Sequence, residues 1–299
     1  MDLGQLLTEQ RNPASAEIDS APTVGILGII NSEDQKVAVA VRDAIPQIAK
    51  ALDAVYERVE RGGRLFYIGA GTSGRLGVLD AAECPPTFNV PPEMVQGIIA
   101  GGEAALARAT EATEDDPAMG ARDLLSRGFT AGDILVGIAA SGRTPYVLGA
   151  VDQAKAIGGG TIGLSCVPAA ELSGRVDTAI ELVVGPEVLT GSTRMKAGTA
   201  TKLALNMLST GLMIKLGYSF GNLMVNVQPK NQKLIDRAER IIMDATGASR
   251  VKASELLAAS GRKVKVAILM GRLCIGRAEA EKQLEGTGGR VAQALKRIE

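Results

Sequence analysis

Short, almost uninterrupted apolar runs alternate with helix-like segments through the middle of the chain, from Gly63 to about Gly217. Runs of this kind are typical of buried strands in a parallel sheet that is covered by helices. The pattern therefore predicts an α/β fold with a doubly wound parallel sheet, whose ligand sites lie at the carboxyl ends of the strands. The candidate strands are Leu65 to Ile68, Met94 to Ile99, Ile134 to Ile138, Thr161 to Ser165 and Thr178 to Val184.

The pattern is helical on both sides of this region. Apolar residues recur at helical spacing from Val37 to Leu52, so a helix is expected to start at Ser32-Glu33-Asp34 and to kink at Pro46. After Asn231 no strand signal is convincing, and glycines separate short helical stretches. The predicted organisation is an N-terminal arm with helices (1–50), a sheet domain (51–218) and a small helical domain (219–299).

Two stretches at the ends of candidate strands are built alike. Gly69-Ala-Gly-Thr-Ser-Gly-Arg75 and Ala139-Ala-Ser-Gly-Arg-Thr144 each place small and hydroxyl residues between an apolar run and a helical pattern. Such a loop presents backbone N–H groups and a helix N-terminus to one point, which suits a phosphate group. Helix capping explains serine or threonine in any one loop. A third hydroxyl cluster lies at Thr190 to Gly198, and capping does not explain why three loops of one sheet share this composition. The residues predicted to bind phosphate are Ser73, Ser141 and one of Ser192 and Thr193.

The first loop also contains Gly69-x-Gly71-x-x-Gly74, the glycine spacing of a dinucleotide site. That interpretation requires an acidic residue at the end of the second strand, roughly 20 residues further on, to hold a ribose. Glu93 precedes the candidate strand and Glu103 lies too far beyond it, so a dinucleotide site is disfavoured. A Walker loop is excluded because no Gly-Lys-Ser/Thr follows a strand.

The charge balance narrows the class of partner. Lys plus Arg and Asp plus Glu both number 33, with no long block of one sign, which argues against a nucleic-acid or membrane surface. A small molecule is the expected partner. No apolar stretch approaches the roughly 18 residues that span a bilayer, and the first residues are polar, so we expect a cytoplasmic protein.

The absence of histidine removes the usual general base, the Ser-His-Asp triad and the commonest zinc ligand together. Acid–base chemistry must then fall to Glu, Asp, Lys, Tyr or Cys. Cys84, Cys166 and Cys274 are far apart and lack metal or redox spacing, so they are expected to be reduced packing residues. No metal site is predicted. Tyr146, after the second loop, is expected to pack rather than to react.

Two glutamates are candidates for acid–base work. Glu83 precedes Cys84-Pro85, and because the proline disfavours helical geometry before it, Glu83 is predicted in the last turn of a helix. The negative end of a helix favours a protonated carboxyl, which suits a general acid. The alternative is a solvated glutamate at a frayed helix end, which is common. Glu114 lies in an acidic cluster in which Asp116 before Pro117 predicts a helix start, and starting that helix is the alternative role of the cluster.

Several segments together closely resemble the N-acetylmuramic acid 6-phosphate etherase family. They are Thr8 to Asp19, Gly69 to Pro86, Gly101 to Glu103, Val136 to Pro145 and Thr190 to Gly198. The resemblance implies the sugar isomerase (SIS) fold with a small, UBA-like helical C-terminal domain. It also implies that water cleaves the lactyl ether of N-acetylmuramate 6-phosphate, giving N-acetylglucosamine 6-phosphate and D-lactate in the recycling of cell-wall amino sugars. No metal or organic cofactor is implied.

The resemblance places the two catalytic glutamates of the family on Glu83 and Glu114. In the open-chain sugar a carboxylate can remove the C2 proton, lactate leaves from C3 when an acid protonates the ether oxygen, and water adds to the alkene. Glu83 is assigned as the proton donor and Glu114 as the base. The expected substrate-binding residues are Gly71, Thr72, Ser73, Ser141, Gly142, Thr144, Ser192 and Thr193.

Two other functions are compatible with the same sequence features. A non-catalytic regulator could sense a sugar phosphate through the same loops. An aldose–ketose isomerase would use a similar base but would release no lactate.

The spacing of the site residues has a consequence for assembly. An unbroken helix from Ser73 to Glu83 would separate the two residues by about 15 Å, too far for one sugar phosphate to touch both. A homodimer is therefore expected, in which one of the two residues serves the site of the neighbouring subunit.

Overall fold

A five-stranded parallel sheet organises the first part of the chain in the computed structural model, which describes residues 7–108 and 113–297. Its strands are β1 (Leu65–Gly69), β2 (Val95–Ile99), β3 (Ile134–Ile138), β4 (Gly160–Ser165) and β5 (Thr178–Glu181). They lie in the order β2-β1-β3-β4-β5, and every neighbouring pair is parallel. The predicted α/β fold is confirmed, and each candidate strand is present.

The sheet has its topological switch point between β1 and β3. The chain moves outward from β1 to β2 and then returns to place β3 on the other side of β1. The two central strands are in register from Leu65 opposite Ile134 to Gly69 opposite Ile138, and both are buried along their whole length. Their carboxyl ends are therefore level and adjacent, which is where ligands bind in sheets of this type.

The last candidate strand is shorter than predicted. Its apolar pattern runs to Val184, but β5 ends at Glu181. The neighbouring strand β4 ends at Ser165, which pairs with Glu181. One further hydrogen bond joins the Leu182 N–H to the Ser165 carbonyl. Beyond it β4 has ended, so residues 183 and 184 have no β4 residue to pair with.

Helices cover this sheet, and the apolar pattern that faces them forms the core. Ile68 and Leu135 of the strands pack with Val147 and Val151 of the helix after β3, in one buried cluster. The helices before and between the strands, and the one that follows the sheet, are α1 (Thr23–Asp43), α2 (Ile45–Glu60), α3 (Gly71–Phe88), α4 (Ala104–Ala107), α5 (Pro117–Ser126), α6 (Pro145–Ile157) and α7 (Lys196–Lys215).

The predicted start of the first long helix is wrong. Helix α1 begins at Thr23, after Pro22 in extended geometry, and runs through Ser32-Glu33-Asp34 without interruption. Glu33 is not a terminal acid but a buried side chain that accepts a hydrogen bond from Lys196, so a distant partner stabilises it inside the helix. The predicted kink at Pro46 is a break between two helices, since α1 ends at Asp43 and α2 begins at Ile45. Pro46 lies in the first turn of α2, where the missing N–H of proline costs little.

The predicted end of the helix that carries Glu83 is also wrong. Helix α3 continues through Pro85 and Pro86 to Phe88, so Glu83 lies before its last turn. The late carbonyls have partners, since the Asn89 N–H donates to the Pro85 carbonyl and Asn226 Nδ2 donates to the Phe88 carbonyl at 2.7 Å. Because a helix-end field falls off within one turn, the end of α3 gives Glu83 no special suitability as an acid.

The chain forms two compact units, one of Met1–Glu83 with Pro92–Ser209 and the other of Cys84–Pro91 with Thr210–Glu299. The second unit contains a small antiparallel pair, β6 (Ser219–Phe220) and β7 (Leu223–Met224). Its helices share one apolar core that includes Ile242 and Ile268. They are α8 (Gln232–Thr246), α9 (Arg250–Ala259), α10 (Val264–Leu273), α11 (Arg277–Glu285) and α12 (Val291–Lys296). The helical pattern predicted after Asn231 is confirmed for the described residues.

Two of the three cysteines pack as expected and one does not. Cys84 and Cys166 are buried, and burial raises the pKa of the Cys166 thiol to about 12. Cys274 is exposed, and as the C-cap residue of α10 it has a left-handed conformation with φ 53°. None of the helices in the described part of the chain is both long enough and apolar enough to cross a membrane.

Candidate active site

The loop between β1 and α3 is tight because its glycines leave no room for side chains. A Cβ on Gly69 would lie 2.7 Å from the Gly74 nitrogen, and a Cβ on Gly74 would lie 2.6 Å from the Gly69 oxygen. Gly71, at the first position of α3, has a positive φ of 51°. These conditions set the N-terminus of α3, with Thr72 and Ser73, directly at the end of the central strand.

The second loop, from β3 to α6, is held by Gly142. Its N–H donates to the Ala139 carbonyl and its own carbonyl accepts from the Leu172 N–H. Its φ is 67°, and a Cβ there would lie 2.3 Å from the Ala170 Cβ. Thr144, not Ser141, is the N-cap residue of α6, and its side chain makes no capping hydrogen bond. Capping therefore does not account for the serine of this loop.

Arg143 in the same loop is a residue whose role the sequence did not reveal. Its Nη1 is buried and has no hydrogen-bond partner within the described residues, while its Nε lies 3.6 Å from Glu171 Oε2. A buried guanidinium N–H without an acceptor is costly unless a ligand or water supplies one. The only signal in the sequence was the repeated Ser-Gly-Arg itself.

The third cluster is built differently from the other two. The N–H groups of Lys196 and Ala197, which open α7, donate to the carboxylate of Glu187 at 3.0 and 2.9 Å. Burial raises the pKa of Glu187, and these donors act in the opposite direction. A carboxylate of the protein therefore occupies the α7 N-terminus, so Ser192 and Thr193 are left with only their own hydroxyls for a ligand.

The first and third loops meet at Gly198. A Cβ at this position would lie 3.4 Å from Thr72 Cγ2 and 3.5 Å from the Thr193 carbonyl oxygen. The structure therefore brings Thr72 and Thr193 together, although they are far apart in the sequence.

Glu114 lies against the start of α3. A Cβ on Gly71 would lie 3.2 Å from Glu114 Oε1, and the Glu114 carbonyl accepts from the Tyr146 N–H at 3.0 Å. The helix start predicted in this acidic cluster belongs to Asp116, whose Oδ1 accepts from the Met119 N–H at 3.0 Å. That contact lowers the pKa of Asp116. Glu114 is therefore not the cap, and its carboxylate sits where the two central loops leave the sheet.

Glu83 is separated from these loops within one chain. It is exposed on α3, and because this helix is unbroken from Gly71 to Phe88, about 15 Å lie between Ser73 and Glu83 along it. Glu83 instead lines a cavity of about 150 Å³ between α3 and α7. The other lining residues are Leu76, Leu79, Asp80, Lys202, Leu205 and Asn206.

Asp80 is a second acid on this face of α3, and sequence reasoning missed it. It is buried and accepts hydrogen bonds from Asn206 Nδ2 at 2.7 Å and from Ser209 Oγ at 3.1 Å. Burial raises its pKa, and hydrogen bonds from Asn206, Tyr67 and Ser209 partly offset that rise. The available signal was its spacing of one turn before Glu83.

Tyr146 packs, as expected. It is fully buried and its hydroxyl donates to Asp123 Oδ2 at 2.6 Å, and burial raises its pKa further above the ordinary tyrosine value. Within residues 7–108 and 113–297, no group of three or more Cys, Asp or Glu side chains could hold a metal ion.

One family model and several solved structures match the part of the chain that contains the sheet. The family model of the glucokinase regulatory protein N-terminal SIS domain matches residues 47–155. Among solved structures, a phosphoheptose isomerase from Francisella tularensis is 21% identical, with a TM-score of 0.48, and the match covers 64% of this chain and 98% of that one. A phosphoheptose isomerase from Neisseria gonorrhoeae is 18% identical, with a TM-score of 0.48 over 62% and 96% of the two chains.

Curated relatives match over almost the whole chain. A protein of Aeromonas hydrophila named N-acetylmuramic acid 6-phosphate etherase is 52% identical over 293 residues, which cover 98% of each chain. Proteins with the same name from Vibrio vulnificus and Yersinia pestis are each 52% identical and cover 99% of this chain, with 98% and 100% of their own lengths matched. At this identity and coverage, the chain belongs to the N-acetylmuramic acid 6-phosphate etherase family.

Proposed function

We propose that this protein cleaves the D-lactyl ether of N-acetylmuramate 6-phosphate, giving N-acetylglucosamine 6-phosphate and D-lactate. It is then a carbon–oxygen lyase of amino-sugar metabolism that recycles peptidoglycan sugars. The observation that carries this function is the 52% identity to named etherases over 98% of both chains. Phosphorylated sugars are intracellular metabolites, and we therefore place the reaction in the cytoplasm.

The two loops at the switch point are the proposed binding site for the phosphate and sugar hydroxyls. They lie within the predicted sheet domain 51–218, which we propose as the sugar-phosphate domain. Two observations support a dianion there: the ends of β1 and β3 are level, and the buried Nη1 of Arg143 has no hydrogen-bond partner among the residues that the structure describes. The residues proposed to contact substrate are Gly71, Thr72, Ser73, Ser141, Gly142, Thr144, Ser192 and Thr193.

The proposed reaction is an elimination followed by addition. Glu114 removes the proton from C2 of the open-chain sugar, and the electron pair forms the C2–C3 double bond as the C3–oxygen bond breaks. Glu83 gives its proton to the departing ether oxygen, so lactate leaves. Water then adds to the alkene, with its hydroxyl on C3 and a proton on C2. No step requires a metal or an organic cofactor.

The place of Glu114 supports its role as the base. Its carboxylate lies next to Gly71, at the positive end of α3, and this field favours an ionised carboxyl. Glu83 has no such support from its helix. Its assignment as the acid rests on the chemistry, because the ether oxygen and the C2 proton are different atoms that need different groups.

We further propose a homodimer in which Glu83 completes the site of the neighbouring subunit. The unbroken α3 keeps Glu83 about 15 Å from Ser73, beyond the reach of one sugar phosphate. Glu83 is also exposed, so a second copy of the chain can approach it.

A sugar-phosphate-sensing regulator is the second candidate, because the matching family model describes the domain of a regulatory protein. That match covers only residues 47–155, whereas the match to etherases runs nearly from end to end. Incubation with N-acetylmuramate 6-phosphate and an enzymatic assay for D-lactate separates the two. An etherase releases one lactate for each substrate consumed, while a regulator or an isomerase releases none.

A further inference from the structure

The cavity between α3 and α7 lies beside Glu83, and the loops that bind phosphate do not use it. We propose that this cavity is the subsite for the lactyl group, in which Lys202 binds the lactyl carboxylate and the leucines contact its methyl group. This inference rests on the proposed function, and it names the part of the substrate that the cavity receives.

The lining residues come from one face of each helix. On α3 they are spaced by three, four and seven residues, from Leu76 to Glu83, and on α7 by three and four, from Lys202 to Asn206. Side chains at these spacings point the same way, so the two helices face each other across the cavity. Lys202 and Glu83 therefore line the same small cavity from opposite helices.

The size of the cavity suits a small group rather than a whole sugar. Its volume of about 150 Å³ is well below the roughly 300 to 1,000 Å³ of pockets that hold drug-sized ligands. A lactyl group has six non-hydrogen atoms including the ether oxygen, whereas an acetylated amino sugar with a phosphate is several times larger. A substrate can thus place only one branch here.

The wall of the cavity is apolar as well as charged. Leu76, Leu79 and Leu205 line it, and Leu79 is 50% exposed although it lies in the middle of a helix. Lactate combines a methyl group and a carboxylate on one carbon. Three leucines and one ammonium group match that combination.

Lys202 is the one cation among the lining residues, and it is exposed. Its charge lowers the pKa of Asp80, but Asp80 already accepts hydrogen bonds from Asn206 and Ser209 in the interior. Lys202 forms no ion pair with a side chain of the described residues. Its ammonium group can therefore bind a carboxylate from a ligand.

The chemistry of the leaving group requires such a neighbour for Glu83. In the substrate the lactyl carboxylate is separated from the ether oxygen by a single carbon. A side chain that protonates this oxygen must then lie within a few ångströms of whatever holds the carboxylate. The 6-phosphate is attached at the other end of the sugar, so a group beside Glu83 is poorly placed to bind it.

The test compares two substrates in four proteins. N-acetylmuramate 6-phosphate and its lactamide analogue, in which a neutral amide replaces the carboxylate, are assayed with the wild type, Lys202→Met, Lys202→Arg and Lys50→Met. Lys50 is an exposed lysine of α2 and controls for loss of one surface charge. We expect the wild type to prefer the carboxylate by about 10- to 100-fold in kcat/KM, the range for one charge-assisted hydrogen bond.

Lys202→Met should lower kcat/KM for the carboxylate and leave the amide unchanged, which abolishes the preference. Lys202→Arg should keep most of the preference, and Lys50→Met should keep all of it. Equal losses on both substrates would overturn the inference, because they would place Lys202 on the phosphate or the sugar. An unchanged preference in Lys202→Met would overturn it as well.

The two proposals fail in different ways. If the wild type releases no lactate from N-acetylmuramate 6-phosphate, the proposed function is wrong and this inference falls with it. If the wild type releases lactate but accepts the amide as readily as the carboxylate, the function stands and only the subsite is wrong.

Discussion

Replacing Lys196 by methionine should destabilise the protein strongly, because it breaks a buried ion pair. Lys196 Nζ lies 2.6 Å from Glu33 Oε2, and these side chains are 1% and 3% exposed. Asn12 Nδ2 donates to the same carboxylate oxygen at 2.9 Å, and Lys36 donates to the other. The pair joins residues that are 163 positions apart, and the partner of Glu33 is the first residue of α7.

The expected magnitude follows from the charge left behind. Removal of one partner of a buried pair leaves an uncompensated charge and costs about 3 to 5 kcal/mol. Burial raises the pKa of Glu33, but the hydrogen bonds from Lys196, Lys36 and Asn12 outweigh it and hold the pKa at about 2. A lowering from 4.5 to about 2 corresponds to about 3 kcal/mol at neutral pH, a net effect of all three donors against burial, and Lys196 is the largest of the three.

Urea denaturation followed by far-ultraviolet circular dichroism measures this cost, since the chain has no tryptophan for fluorescence. Lys36→Met is the matched control. Lys36 contacts the same carboxylate but is 60% exposed, so its loss should cost less than about 1 kcal/mol. The double variant Glu33→Gln with Lys196→Met removes both charges and should lose less than the sum of the single losses.

The pair also makes the stability of the protein depend on pH, and comparison with Glu33→Gln isolates this contribution. Because the folded-state pKa of Glu33 lies below its unfolded value, its contribution is complete above about pH 4.5 and is lost as the pH falls toward 2. About 2 kcal/mol should be gone by pH 3. The wild type should therefore lose more stability than Glu33→Gln between pH 7 and pH 3. Either of two results would refute this reasoning. One is a free energy of unfolding for Lys196→Met within about 1 kcal/mol of the wild type, and the other is an equal loss of stability between pH 7 and pH 3 in the wild type and in Glu33→Gln.

Three further predictions concern the proposed site. Ser73→Ala and Ser141→Ala should each raise KM or abolish turnover while the circular dichroism spectrum stays native, because each removes a hydroxyl donor to a dianion; unchanged kinetics in both would exclude the loops. Mixed dimers of Ser73→Ala and Glu83→Ala subunits should regain part of the activity, and no recovery in verified heterodimers would exclude a shared site. Glu83→Gln should stop lactate release but still exchange the C2 hydrogen of N-acetylglucosamine 6-phosphate in deuterated water, whereas Glu114→Gln should lose both. Proton NMR of the C2 signal measures this exchange, and the opposite pattern would reverse the two roles.

The sequence by itself determined the architecture of the sheet and the place of its loops. Buried strands such as Leu65–Gly69 and Ile134–Ile138 are continuous apolar runs, and a run of this kind is a local property that needs no knowledge of its neighbours. The Ser-Gly-Arg motifs follow these strands directly, so their position at the carboxyl edge could be predicted as well.

Helix ends were predicted less well, because contacts from elsewhere decide them. Pro85 indicated an end at Cys84, yet α3 continues to Phe88, whose carbonyl accepts from Asn226. Glu33 resembled a helix start, yet it is buried in α1 because Asn12 and Lys196 supply donors. A one-dimensional pattern contains the local preference of each residue but not the partners that override it.

Only the tertiary structure decided which charged groups share a site. It placed Glu114 against Gly71, gave the α7 N-terminus to Glu187, and set Lys202 across a cavity from Glu83. Glu114 and Gly71 are 43 residues apart and Lys202 and Glu83 are 119 residues apart, and nothing in their local spacing predicts the approach. Apolar periodicity is repeated along an element and can be read from the chain, whereas a single contact between two helices depends on how they pack, which the chain order does not contain.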